Sequence, residues 1–389
     1  MKSFKLAFCA VLCSLGGGVT PLASAQYYVW DLGTLPGSGM SFTTGINDNG
    51  QVVGWSNFGG RTEAFIYSGG VMSSLGTLGT GSSYIGSSYA ADINNAGQVV
   101  GWSDWASSNG TVYYRAFMYE GSMMQNLGIL PGASDSVASG INNSGQVVGR
   151  SYSGVNNVFL YSGGAMTALG ISSSPVVKIN DAGQVLGNKR AGENPFIFSG
   201  GVTIDIGSLG GLHTWANAIN NNGDVVGASD LSGTTTEAHP FFYSYSTGTM
   251  QDLGLLAAAS QSWAEGLNDL GQVVGRSFMG NGGWHAFLYS EGLMQDLNSL
   301  VDPDYGWVIQ AATDINEYGQ IAAYGYNSIF GGSHALLLDT VPDPNAPPPP
   351  CASCGPPPTP VPEPSTYAML LAGLGLLGFI ARRRNQQAA

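Results

Sequence analysis

The stretch INDNGQVVGWS, Ile46–Ser56, decides the fold because it returns six more times. The later copies are INNAGQVVGWS (Ile93–Ser103), INNSGQVVGRS (Ile141–Ser151), INDAGQVLGNK (Ile179–Lys189), INNNGDVVGAS (Ile219–Ser229), LNDLGQVVGRS (Leu267–Ser277) and INEYGQIAAYG (Ile315–Gly325). Their first residues lie 47, 48, 38, 40, 48 and 48 positions apart. Strand-like repeats with periods of about 40–50 residues belong to propellers and solenoids.

Each copy contains a strand end, a turn and a second strand. In the first, Phe42–Ile46 leads into Asn47-Asp48-Asn49-Gly50, and Gln51–Trp55 leads out. Asn and Asp bond their own backbone in tight hairpins, and Gly takes the positive-φ position. That glycine occurs in all seven copies (Gly50, Gly97, Gly145, Gly183, Gly223, Gly271, Gly319). A third strand follows: EAFIY (Glu63–Tyr67), RAFMY (Arg115–Tyr119), NVFLY (Asn157–Tyr161), NPFIF (Asn194–Phe198), HPFFY (His239–Tyr243), HAFLY (His285–Tyr289) and HALLL (His334–Leu338). A fourth appears only six times after these, as MSSLG (Met72–Gly76) through MQDLN (Met294–Asn298).

The missing fourth strand stands at the other end of the repeats. Tyr28–Gly33, YVWDLG, fits its pattern before any Ile-Asn strand has appeared. Pairing it with His334–Leu338 closes a ring and removes free sheet edges. A solenoid would need distinct capping repeats. The expected fold is therefore all-β, a seven-bladed β-propeller of four-stranded blades over residues 26–341. The strand ending in Ile-Asn is rich in small residues, as in Thr43-Thr44-Gly45 and Ala138-Ser139-Gly140. It is expected to be innermost, against the crowded channel.

Both ends of the chain read as addresses. Lys2 and Lys5, the apolar run Leu6–Leu15 and Ala23-Ser24-Ala25 form an expected signal peptide over residues 1–25. Residues 342–360 are proline-rich and read as a stiff polyproline spacer. Within it, Cys351 and Cys354 are read as a small disulfide loop, the alternative being half of a metal or redox site. Residues 361–389 hold VPEPST (Val361–Thr366), an apolar run Tyr367–Ala381 and Arg382-Arg383-Arg384. The run is short for a transmembrane helix, which takes about 20 residues, but the arginines behind it should stay cytoplasmic.

That order resembles the PEP-CTERM sorting signal of Gram-negative bacteria, carried here by Val361, Pro362, Glu363, Pro364, Arg382, Arg383 and Arg384. The resemblance implies export, transient inner-membrane anchoring, and an exosortase-type membrane enzyme as processing partner. A plain C-terminal anchor is the alternative. The third strands also resemble the bacterial extracellular HAF-repeat family. His285-Ala286-Phe287 is the literal match, while His239-Pro240-Phe241 and His334-Ala335-Leu336 depart by one residue each. The first four copies replace His with Glu63, Arg115, Asn157 or Asn194. That family is defined by its repeat and its export, so it implies no particular chemistry.

Composition narrows the function. Charged residues make up 10% of the chain and the net charge is −13. Five of the twelve basic residues lie in the two terminal addresses, so the repeats are more acidic still. Nucleic acid and anionic membrane surfaces, which need clustered Lys and Arg, are not expected partners. The chain is expected to act as a monomer.

No catalytic residues, cofactor or metal ligands are expected. Nucleophile-elbow, HExxH and P-loop patterns are absent from the sequence. His239, His285 and His334 share one repeat position and should sit on neighbouring blades. Calcium needs six to eight oxygens, usually several of them carboxylate, and the turns offer only Asp48, Asp181, Asp269 and Glu317. Trp55, Trp102, Trp215 and Trp263 are candidates for stacking on sugars of an exopolysaccharide. Packing between blades is the commoner use of such rings. The reading is a surface- or matrix-associated binding or scaffolding protein. The alternative is a propeller hydrolase or lyase acting on extracellular polysaccharide.

Overall fold

Seven four-stranded antiparallel sheets make up the fold, and each holds one repeat. The computed structural model describes residues 27–342 except 80–85, 108–109, 155, 173–175, 190–192, 234–236 and 281–282. The expected signal peptide, the cysteine pair and the transmembrane run Tyr367–Ala381 lie outside these residues. Among the described residues no helix is long and apolar enough to cross a membrane.

In blade one the strands run Met40–Ile46, Val52–Asn57, Thr62–Ser68 and Val71–Ser74, in that order across the sheet. Blades two to six repeat this order. Blade seven is built from both ends of the repeat region. Trp307–Ile315, Ile321–Asn327 and Gly332–Asp339 come from the last repeat, and Tyr28–Gly33 supplies the outermost strand. It runs antiparallel to Gly332–Asp339, with Val29 opposite Leu338 and Asp31 opposite Leu336. The closure expected from the orphan strand is therefore the one observed.

The repeat motif dictates the blade in detail. The turn Asn47–Gly50 closes with the Gly50 N–H donating to the Asn47 carbonyl at 3.0 Å. All seven turn glycines have φ between +71° and +83°, where a side chain would be strained. The two valines after the turn are fully buried, because blades cover both faces of each strand. The third residue, Gly54, has a different reason. A Cβ there would sit 1.9 Å from the Phe42 carbonyl oxygen and 2.9 Å from the Phe65 ring. Gly54 pairs with Phe65 across the strands, so the Phe of the third strand lies over the glycine of the second. Blade seven has Ala323 opposite Leu336 instead. There a smaller side chain replaces the ring.

Buried serines latch blade seven to one, one to two and two to three. The Ser88 hydroxyl donates to the Gly76 carbonyl at 2.6 Å and accepts from the Ala64 N–H at 3.0 Å. Ser136 repeats this with Gly128 and Ala116, and Ser41 with Gly33 and Ala335. The serine ending the repeat motif accepts a backbone N–H from the preceding linker, as Ser56 does from Leu35 and Ser151 from Leu130. These hydroxyls are satisfied, so their burial carries no unpaired-donor penalty.

Candidate functional site

The seven innermost strands surround a central channel, and its two ends differ. One end is ringed by the Ile-Asn turns and encloses about 170 Å³. The other opens into a cup of about 560 Å³, within the range of ordinary ligand pockets. Lys178, Ala218 and Asp314 line both spaces and mark the partition between them.

At the narrow end two rings of hydrogen bonds run around the axis. In the inner ring the side-chain amide of each turn asparagine donates to the backbone carbonyl of the asparagine in the next blade. The series Asn47, Asn94, Asn142, Asn180, Asn220, Asn268, Asn316 returns to Asn47, with distances of 2.9–3.2 Å. The same asparagines use Oδ1 to hold their own turns, as Asn47 does for the N–H groups of Asn49 and Gln51. In the outer ring the next residue's N–H donates to a side-chain oxygen of the following blade, from Asp48 to Asn95 and finally from Glu317 to Asp48. Asp48, Asp181, Asp269 and Glu317, weighed above as calcium ligands, are acceptors in this ring. Among the described residues no group of three or more His, Cys, Asp or Glu side chains is arranged to hold a metal ion.

The partition is set by one position per blade, the residue before the repeat's first Ile or Leu. The series is Gly45, Asp92, Gly140, Lys178, Ala218, Gly266 and Asp314. A Cβ at Gly266 would lie 2.8 Å from the Asp314 Cα, so glycine there lets the neighbouring strand approach. Lys178 Nζ lies 2.5 Å from Asp92 Oδ1. The second Asp92 oxygen accepts the Ile141 N–H, and the two Asp314 oxygens accept the N–H groups of Ile46 and Ile315. Burial pushes the Asp314 carboxyl up to about 6, with Lys178 opposing the shift and Asp92 adding to it. Burial works against the charge on Lys178, but Asp92 and Asp314 outweigh it and its pKa is raised.

Aromatic rings border one side of the cup. Phe42 stacks on Trp55 at 4.5 Å, Trp55 lies 5.9 Å from Tyr89, and Tyr89 lies parallel to Trp102 at 5.9 Å. Tyr324 packs edge-on against Phe42 at 5.1 Å. The stack crosses blades seven, one and two, and Phe42, Trp55, Tyr89 and Tyr324 line the cup. Because the rings stack on one another, they also serve as contacts between blades. On the other side stand Asn217, Glu265 and Arg276. Arg276 Nε lies 3.1 Å from Glu265 Oε1 but is not aligned as a hydrogen bond, and among the described residues it has no hydrogen-bond partner. The guanidinium sits over Trp263 and Trp284, 5.6 and 5.0 Å from their centroids. Burial raises the Glu265 pKa and Arg276 opposes it.

The four tryptophans singled out from the sequence do not converge. Trp55 lines the cup, and Trp102 continues its stack outward. Trp263 backs Arg276, while Trp215 stacks on His213 and is 43% exposed. Sequence reasoning missed Asp92, Lys178, Asp314, Glu265 and Arg276. Aligning the innermost strands would have found the first three, as charges in a column otherwise occupied by Gly or Ala. The three repeat histidines lie on separate blades. Each faces an outermost-strand carboxylate through Nδ1: His239 with Asp252 at 3.0 Å, His285 with Asp296 at 2.7 Å and His334 with Asp31 at 2.9 Å.

Among solved structures, the chain is similar to the β-propeller domain of the Trilobed protease from Pyrococcus furiosus. The two are 11% identical with a TM-score of 0.51, over 79% of this chain and 99% of that one. It is also similar to an oligogalacturonate lyase in complex with manganese (11% identity, TM-score 0.47, 75% and 86% covered) and to a streptogramin B lyase (9%, 0.43, 82% and 99%). Likeness at this level is of fold alone. No curated protein matches the chain. Residues 360–384 match the PEP-CTERM protein-sorting motif, which places an exosortase sorting signal at the C-terminus and implies export to the cell envelope or surface.

Proposed function

We propose that this is an exported, surface- or matrix-associated HAF-repeat protein that acts by binding, and that its cup takes up a polyhydroxylated extracellular ligand, a glycan. The observation that carries this reading is the cup itself. Four aromatic side chains border one side of a space of about 560 Å³, and hydroxyl, amide and charged groups border the rest. Apolar ring edges and polar donors in one concave site suit a ligand with both CH surfaces and hydroxyls. Binding is favoured over catalysis because each cup carboxylate is already engaged. Glu265 faces Arg276 and accepts from Asn217, and Asp314 holds two backbone N–H groups. A glycan-array screen of the secreted protein tests the reading, and retention of no glycan overturns it.

One observation favours the alternative, a polysaccharide hydrolase or lyase. Glu265 and Asp314 line the same cup, and both carboxyls are raised in pKa, as acid catalysts often are. An enzyme would shorten a bound glycan and lose that activity in Glu265→Gln or Asp314→Asn. A binding protein would release it unchanged.

Sorting completes the proposal. The signal peptide directs export, the apolar run Tyr367–Ala381 holds the tail in the inner membrane, and an exosortase cuts near VPEPST. Intact-mass measurement of the secreted protein should then find neither residues 1–25 nor Arg382–Arg384. Recovery with the arginines attached would leave a plain anchor.

A further inference from the structure

The charged groups of the cup are unevenly satisfied. On the acceptor side, Asp314 holds the Ile46 and Ile315 N–H groups, Glu265 receives the Asn217 amide, and Asp92 below takes Lys178 and the Ile141 N–H. On the donor side, Lys178 makes one hydrogen bond among the described residues, to Asp92, although an ammonium carries three donors. Arg276 makes none among the described residues: its buried Nε lies 3.1 Å from Glu265 Oε1 without the alignment of a hydrogen bond, although the guanidinium carries five donors. The guanidinium lies over the rings of Trp263 and Trp284. The ring contacts hold the group in place but are not hydrogen bonds for its N–H groups. A buried donor left unpaired is costly and calls for a partner. The cup's own carboxylates leave donors of both cations over, and a planar guanidinium is best matched by a carboxylate aligned with its fork.

We infer that the glycan is acidic: the cup takes a sugar unit bearing a carboxylate, whose oxygens accept from Arg276 and Lys178 while its ring lies toward Phe42, Trp55 and Tyr89. This rests on the glycan-binding reading and adds the class of sugar. The chain's net charge of −13 disfavours a long polyanion, so the ligand carries its acid on a short or terminal unit. The groups facing Asp314 are Lys178 and Asp92, with Glu265 and Arg276 across the cup. As pH falls through about 6 Asp314 takes up a proton, which leaves Lys178 with one carboxylate and strengthens anion binding.

The test is calorimetric titration of the secreted protein with a glucuronate-terminated tetrasaccharide, its carboxyl-reduced counterpart, and sodium acetate. The inference expects the acidic sugar to bind at least about tenfold tighter than the reduced one, acetate to bind far more weakly, and affinity to rise from pH 8 to pH 5. Arg276→Gln should weaken the acidic sugar by at least about tenfold more than the reduced one, and Asp314→Asn should flatten the pH dependence. Equal binding of both sugars overturns the acidic assignment and spares the glycan reading. Binding of neither overturns both. Acetate binding as well as the sugar would identify a bare anion site and overturn the sugar assignment. If Arg276→Gln melts early, Arg276→Lys serves in its place, keeping the charge and losing the planar fork.

Discussion

The side-chain amide of Asn316 donates to the backbone carbonyl of Asn47 at 3.1 Å, joining residues 269 positions apart and closing a ring of seven asparagines. Each member satisfies its own turn with Oδ1 and the next blade with Nδ2, so one residue type performs local and long-range work at once. The ring also explains why the first turn residue is Asn in all seven copies while the second varies among Asp, Asn and Glu. The second residue needs only an acceptor oxygen.

The two rings should differ in energetic weight, because the inner one is buried and the outer one is not. Asn142 is 3% exposed, while Asn143 is on the surface. Asn142→Ala leaves the Asn180 carbonyl with the Gly183 N–H alone and strands the Ser144 and Gln146 N–H groups, and should cost about 2–4 kcal/mol. Asn143→Ala should cost under about 1 kcal/mol. Chemical denaturation of the two variants checks this, and equal losses would count against a buried ring.

Closure gives the second expectation. Removing the strand Tyr28–Gly33 exposes the edge of Gly332–Asp339 and uncovers Leu336 and Leu338, both fully buried. Removing everything after Val341 keeps the seven sheets whole and retains the Val341 carbonyl that accepts from Trp30 at 3.3 Å. Melting curves should show a large fall for the first truncation and almost none for the second. Similar melting temperatures would refute the closure account.

The blade count, turn glycines and ring closure were legible because they are periodic and local. Asn-x-x-Gly reports its turn, and the orphan Tyr28–Gly33 reports its partner by being one strand short. The serine latches were visible as letters, such as Ser56 and Ser103, but not as bonds, since their partners lie in the preceding linker. The cup was hidden for another reason. Lys178, Asp92, Glu265 and Arg276 come from blades four, two and six, and only the curvature of the ring brings them to one channel. The departure from HAF at Leu336 became intelligible only when Ala323 was seen opposite it in place of glycine.

Asp314 supplies a pH signature. Its folded-state pKa of about 6 lies above the ordinary aspartate value of 3.8, so the folded protein holds the proton more tightly than the unfolded chain. The associated stability is present in full below about pH 4 and is lost as pH rises through 6. Denaturant midpoints measured from pH 4 to pH 8 should fall in the native protein by more than in Asp314→Asn. Parallel curves would mean that Asp314 does not titrate in this window.

The binding reading meets its most direct test at the cup. Ala91 lines it, so Ala91→Trp fills the space, whereas Leu270→Trp adds the same ring to an exposed turn at the other end of the channel. Both variants, checked for native melting, would be screened on a glycan array beside the unaltered secreted protein. The account predicts that glycans retained by the native protein are lost by Ala91→Trp and kept by Leu270→Trp. Retention by both variants would contradict it.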